Sequence, residues 1–155
     1  MNQVDIREVA DAIELQVEGN LALVDKIDGK IVHVSDEAIE DVEDEEDFSH
    51  LQEWEREERH LAQHILENKT RYAQVPDCSD VDEYQLMESF IDSLQDDQSR
   101  NELSKAIRGK GAFRRFKDQI VIQGVADQWY DYESVYYRTL AIEWCEENDI
   151  PYKNK

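Results

Sequence analysis

A chain of 155 residues has the length of one ordinary domain, and its 38 acidic against 17 basic residues give a formal net charge of −21. The summed field of such a surface argues against general binding to DNA or to an anionic membrane. Apolar residues make up 40%, with three Trp, seven Tyr and four Phe that need burial, which argues against a disordered chain.

No apolar run follows Met1, and no window approaches the roughly 18 apolar residues of a membrane span, so a cytoplasmic protein is expected. Cys78 and Cys145 match no metal or redox spacing, and two free thiols are expected, with Cys145 packed beside Trp144.

In chain order, "DIREVADAIELQV" places Ile6, Val9, Ile13 and Val17 at helical offsets and predicts a helix ending near Gly19. "LALVDKIDGKIVHV" predicts a hairpin, with strands about Leu21–Asp25 and Lys30–Val34 and a tight turn at Asp28-Gly29. Nine acids in the twelve residues Asp36–Asp47 predict a short helix behind Ser35, with Ile39 and Val42 inward, and then a solvated, mobile connection. A longer helix is expected over Ser49–Asn68, with Ser49 and Gln52 at capping-box spacing, and "RYAQVP" (Arg71–Pro76) is a third strand.

The C-terminal half reads as helices. The first is capped by Asp80 and turns Tyr84, Met87, Ile91 and Leu94 inward. A short one runs through Leu103 and Ile107 and stops at Gly109. The next aligns Phe113, Phe116 and Ile120 and ends at Gly124. The last carries Trp129, Tyr132, Tyr136, Leu140 and Trp144 on one stripe, leaves Tyr130 and Tyr137 off it, and stops near Asn148. The fold expected is α+β: a small antiparallel sheet, hairpin plus one strand, packed with a mostly helical C-terminal half. It is one domain over 1–155, with the sheet, acidic connection and long helix in 21–76 and the helical layer in 77–155. The aromatic last helix has apolar surface enough to support a homodimer.

Two constellations could carry chemistry. From Lys105 to Lys117 there are six Lys or Arg and no acid, in "RGKGAFRRFKDQ" and the residues before it. Arg108, Lys110, Gly111, Arg114 and Arg115 surround a predicted helix start, where free backbone N–H groups and forked guanidinium groups suit a phosphate or carboxylate. Arg114 and Arg115 point away from the Phe113/Phe116/Ile120 stripe, so both heads are expected to stand free, with Tyr130 or Trp129 beside the ligand. The competing reading is that these cations neutralise the molecule's own acids, the Asp36–Asp47 run above all. The Gly-x-Gly pattern lacks the strand and spacing of a nucleotide-binding loop.

In "HLQEWEREERHLAQH", His50, Glu53, Glu57, His60 and His64 share one predicted helical stripe, and Glu57-x-x-His60 has the spacing used in di-iron bundles. A second such helix is missing, so the stripe reads first as the polar flank of an amphipathic helix and only weakly as a metal site. No serine nucleophile elbow occurs, and no His stands near either cysteine in sequence.

"RYAQVPDCSDVDEYQLMESFI", "GKGAFRRFKD", "QWYDYES" and "AIEWCEENDIPY" follow one another over about Leu21 to Tyr152. In these segments the chain resembles a bacterial uncharacterised protein family, number 0158. Gly109-Lys110-Gly111 stands where the resemblance leads one to expect Gly-Arg-Gly. What the resemblance implies is a bacterial cytosolic protein with no activity, cofactor or catalytic residue to carry over. The function expected is a non-enzymatic binding or regulatory module for an anionic group (phosphate, nucleotide or RNA) at the basic segment. The alternatives are an acidic interaction protein or nucleic-acid mimic with a basic protein partner, and a metal-dependent enzyme on the His/Glu stripe. No cofactor is expected.

Overall fold

The computed structural model describes residues 2–77 and 82–154. The fold is α+β, and its contacts gather into two compact units, Met1–Cys78 with Tyr137–Lys155, and Ser79–Tyr136.

In the first unit, β1 (Val4–Asp5) leads directly into α1 (Ile6–Glu14). Asp5 caps α1 by accepting the Arg7 N–H at 2.9 Å, and Ile6, Val9 and Ile13 are buried as their spacing predicts. The helix ends five residues before Gly19, so Val17 lies beyond it and is 64% exposed instead of inward. The chain needs Leu15–Gly19 to reverse into β2 (Asn20–Asp25), which pairs antiparallel with β3 (Lys30–Ser35) as predicted.

The hairpin turn differs from the two-residue form expected. Its loop is Lys26–Gly29, because Asp25 accepts hydrogen bonds from the Ile27 and Asp28 amides on Oδ1, and its carbonyl accepts from Gly29 N–H at 2.8 Å. Only Gly29 takes a positive φ, +72°, and a Cβ there would stand 2.8 Å from the carbonyl oxygens of both Asn2 and Gln3.

Ser35 ends β3 and caps α2 (Asp36–Glu43), accepting the Ala38 N–H at 3.1 Å. Ala38 is buried and Ile39 and Val42 are half-buried, on the inward side expected of them. The long helix α3 is shorter than predicted, Glu53–Glu67, with Gln52 as an N-cap that makes no side-chain bond. The Ser49/Gln52 box does not form because Asp47 takes the Ser49 N–H at 3.0 Å and folds residues 47–51 into a turn. β4 (Tyr72–Gln74) then pairs antiparallel with β2, giving the order β3-β2-β4. Leu21, Leu23, Val32 and Val34 share the face that packs on α2 and α3, with Tyr72 beside them.

Two arginines tie this unit together. Arg59, 4% exposed, donates from Nε and Nη2 to Asp41 Oδ2 at 3.2 and 2.9 Å and lies 3.7 Å from Glu37, joining α3 to α2. Arg71 sends a fork to Asp25 at 2.9 and 2.8 Å, joining the start of β4 to the end of β2. Those bonds, with help from the Ile27 and Asp28 amides, hold the Asp25 carboxyl down at about 2 against the opposing effect of burial.

The second unit holds α4 (Glu83–Ser93), α5 (Asp97–Ala106), α6 (Ala112–Ile122) and the first half of α7 (Ala126–Glu147). The predicted cap Asp80 lies outside the described residues; Asp82 is the cap found, accepting the Gln85 N–H at 3.0 Å. Phe90, Phe116 and Trp129 form the centre, the last two with ring centroids 4.7 Å apart and nearly perpendicular. Tyr84 turns outward because α4 buries the stripe Leu86, Met87, Phe90 and Ile91. Phe113 is also exposed, with the Lys117 ammonium 5.2 Å from its ring.

The second half of α7 belongs to the first unit, where Tyr137, Ala141, Trp144 and Cys145 are buried. The sequence pattern places Tyr137 off the inner stripe; it lies inside because α7 changes its buried side between the two units it serves. Cys145 is a free thiol beside Trp144 in the chain, and burial pushes it up to about 11. Cys78 lies outside the described residues. β5 (Tyr152–Lys153) closes the chain parallel to β1, with Val4 opposite Tyr152.

Three outcomes follow from this packing. The folded pKa of Asp25 is below its ordinary 3.8, so its pair stabilises fully above about pH 4 and is lost as pH falls toward 2. Asp25→Asn should therefore cost about 2 kcal/mol at pH 7 and flatten acid denaturation across that window, measured by urea unfolding at stepped pH. Arg59→Ala should cost about 2–3 kcal/mol and speed amide exchange first in α2, since it leaves Asp41 facing a guanidinium-sized gap. Gly29→Ala combines a left-handed φ with a backbone clash and should cost at least about 2 kcal/mol in thermal unfolding.

Candidate functional site

The basic segment is a turn between two helices of the second unit. α5 ends at Ala106, and Gly109 and Gly111, both at φ +76°, reverse the chain within the next five residues. The stop expected at Gly109 comes earlier: Ile107 is the C-cap of α5, and Gly109 takes its left-handed conformation in the turn beyond. Gly111 is the N-cap of α6 and offers no side chain to the first N–H groups of that helix.

Arg115 does not stand free. It lies one turn into α6 and reaches back across the turn, donating from Nε to the Ala106 carbonyl at 2.8 Å and from its two terminal nitrogens to the carbonyls of Lys110 and Arg108. Three backbone oxygens left open by the end of α5 and by the turn outcompete solvent for this fork. The conformation of Gly111 keeps room for it, since a Cβ there would meet Arg115 Nη1 at 3.0 Å.

The other cations divide in two. Lys105 pairs with Glu102 at 3.8 Å, one turn back along α5, and Lys117 lies over the rings of Phe113 and Tyr130 at 5.2 and 5.7 Å. Arg108, Lys110 and Arg114 are exposed, and among the described residues none makes a side-chain hydrogen bond or ion pair. Of the two aromatic neighbours expected, Tyr130 is half-exposed and accessible, whereas Trp129 is 1% exposed in the core.

The acidic run has partners of its own. Asp41 and Glu37 face Arg59, and the Ser49 amide holds the Asp47 carboxylate below its usual range. Arg59 is the residue that sequence reasoning missed. Its signal was present: it stands three and six positions before Ala62 and Ile65, on the buried stripe of α3.

The His/Glu stripe does not assemble. His50 lies in the turn before α3, because the helix starts only at Glu53. His60 meets the edge of Phe48 at 5.4 Å, and His64 shares a hydrogen bond of 2.8 Å between Nδ1 and the Tyr72 hydroxyl. Glu57 is exposed on α3. Among the described residues, no three His, Cys, Asp or Glu side chains gather where a metal could be held.

No helix among the described residues is long and apolar enough to cross a membrane. UPF0158 protein PA5073 of Pseudomonas aeruginosa is 26% identical over 88 residues, a stretch covering 56% of this chain and 58% of that protein. This chain thus matches little more than half the length of that relative. No solved structure matches this chain. The profile of the Uncharacterised protein family (UPF0158) covers residues 2–155, nearly the whole chain, and the chain therefore belongs to that family.

Proposed function

We propose that this chain is a non-enzymatic cytosolic binding module that takes up an anionic group, a phosphate or a carboxylate, at the turn Arg108–Arg114. The observation that carries the reading is the division of labour among the cations. Arg115 fastens the turn by its carbonyls, while Arg108, Lys110 and Arg114 remain exposed and unpaired around the uncapped start of α6.

Each feature acts in the same direction. The open N–H groups of the first helical turn carry partial positive charge, and Gly109, with nothing within 4 Å of where a Cβ would stand, leaves the backbone bare for close approach. Because Arg115 holds the carbonyls of Arg108 and Lys110, those two side chains start from a fixed backbone, which lowers the ordering cost of binding. Tyr130 supplies an exposed ring next to Lys117 and suits a base or sugar carried by a nucleotide. In a molecule of net charge −21, attraction here is local and should fall steeply with salt.

Calorimetric titration with inorganic phosphate, nucleoside phosphates and short RNA at two salt concentrations tests the reading. Arg114→Glu and Arg108→Glu should each weaken binding about tenfold or more, the value of one charge-assisted contact. Arg115→Ala should lower thermal stability and binding together, because it releases the turn. Unchanged binding after Arg108, Lys110 and Arg114 are all reversed to Glu, in a variant that still folds, would remove the proposal.

A further inference from the structure

We propose that a groove in the first unit, between α1 and the sheet face turned away from α2 and α3, docks a cationic amphipathic helix of a partner protein. The groove has a volume of about 830 Å³. It shares no residue with the basic turn, so the two readings stand or fall separately.

One wall is α1. Glu8, Asp11, Ala12 and Leu15 recur at helical offsets on a stripe separate from the buried Ile6, Val9 and Ile13. The floor is the second face of the sheet, where Ala22 lies opposite His33 in the register and Ile31 is half-buried. At the mouth, Leu15 is 69% and Val17 64% exposed. Apolar side chains gathered in a concave strip and left in water mark a surface that something covers.

Charge selects what covers it. Among the described residues the carboxylates of Glu8 and Asp11 have no ion pair, and they line an otherwise apolar wall. Glu8 is stabilised by the start of α1, but Asp11 is too far along the helix for that explanation. A second copy of this chain would bring another surplus of 21 negative charges against them, which makes it the worst occupant. A helix with Leu-type residues on one side and Lys or Arg on the flank satisfies both the apolar floor and the acids. The wall from Glu8 to Leu15 is two turns, about 10 Å, so it receives about two turns of the partner. Lys30, which also lines the groove, suits the carbonyl-rich C-terminal end of that helix.

The test titrates the full ¹⁵N-labelled chain at physiological salt with a synthetic Leu–Lys amphipathic helix. A Leu–Glu helix with the same leucine positions and a leucine-free lysine peptide of equal charge serve as controls. Amide shifts should concentrate in Glu8–Val17 and Lys30–His33, and the Leu–Glu helix should produce none. Leu15→Ser should weaken binding about tenfold, the effect of losing one buried leucine, and Glu8→Gln with Asp11→Gln should weaken it about fivefold or more. All three positions are exposed or half-buried at the surface, so unfolding midpoints should stay near the parent value. Equal affinity for the leucine-free peptide would reduce the effect to diffuse attraction by an acidic surface and overturn the proposal. Shifts centred instead on the acids of residues 36–47, or affinity indifferent to the groove variants, would overturn it as well.

Discussion

Arg59 lies almost fully buried between α2 and α3, two helices with five acids each, and its guanidinium faces Asp41, Glu37 and Glu58. A neutral side chain there would leave the partly buried Asp41 and Glu58 carboxylates without their cation. Charge pairing thus joins α2 to α3 beside the packing of Ala38, Ile39 and Val42. Local chemistry helps at its start, with Ser35 as cap and Asp36 and Glu37 against the positive end of the helix. Its far end gains nothing from Glu43 and Asp44, and the helix stops there. Arg71 plays the same part at the other edge of the sheet, where it lets Asp25 be both a strand residue and the organiser of the hairpin loop.

In the second unit no acid is needed to fix the basic turn. Arg115 binds carbonyl oxygens instead, which solves two problems at once: it satisfies the open end of α5 and leaves the neighbouring cations without an internal partner. The same residue type therefore does opposite things within eight positions, closing the backbone at Arg115 and facing solvent at Arg108 and Arg114. Below it, the Phe90, Phe116 and Trp129 cluster makes a rigid support. The indole N–H of Trp129 is buried with no hydrogen-bond acceptor among the described residues, a cost of about 1–3 kcal/mol that the ring packing has to offset.

The two surfaces on which the proposals rest are of opposite character. One is a polar, positively charged turn; the other is a groove with apolar side chains edged by carboxylates that have no ion pair among the described residues. Among the described residues, no group of three His, Cys, Asp or Glu that could hold a metal gathers at either.

Much of the local structure was legible in the residues themselves. The hairpin with its third strand, the Ser35-capped acidic helix and the break between two helices around Gly109 each follow from periods and punctuation within about a dozen residues, where the competing choices are few. Tertiary structure decided what depends on residues far apart. The turn at Gly29 is set by Asp25 and Arg71, 46 positions apart, and by the backbone of Asn2 and Gln3 close against it. Tyr137 is buried because α7 serves two cores, which no single stripe can reveal. Arg115 looked free because its stripe faces away from the core; its fork is captured by carbonyls that become neighbours only when α5 and α6 fold back on each other. The positions of the cations could be read from the chain, but which of them keep an empty hand depended on backbone oxygens whose placement only the folded turn determines.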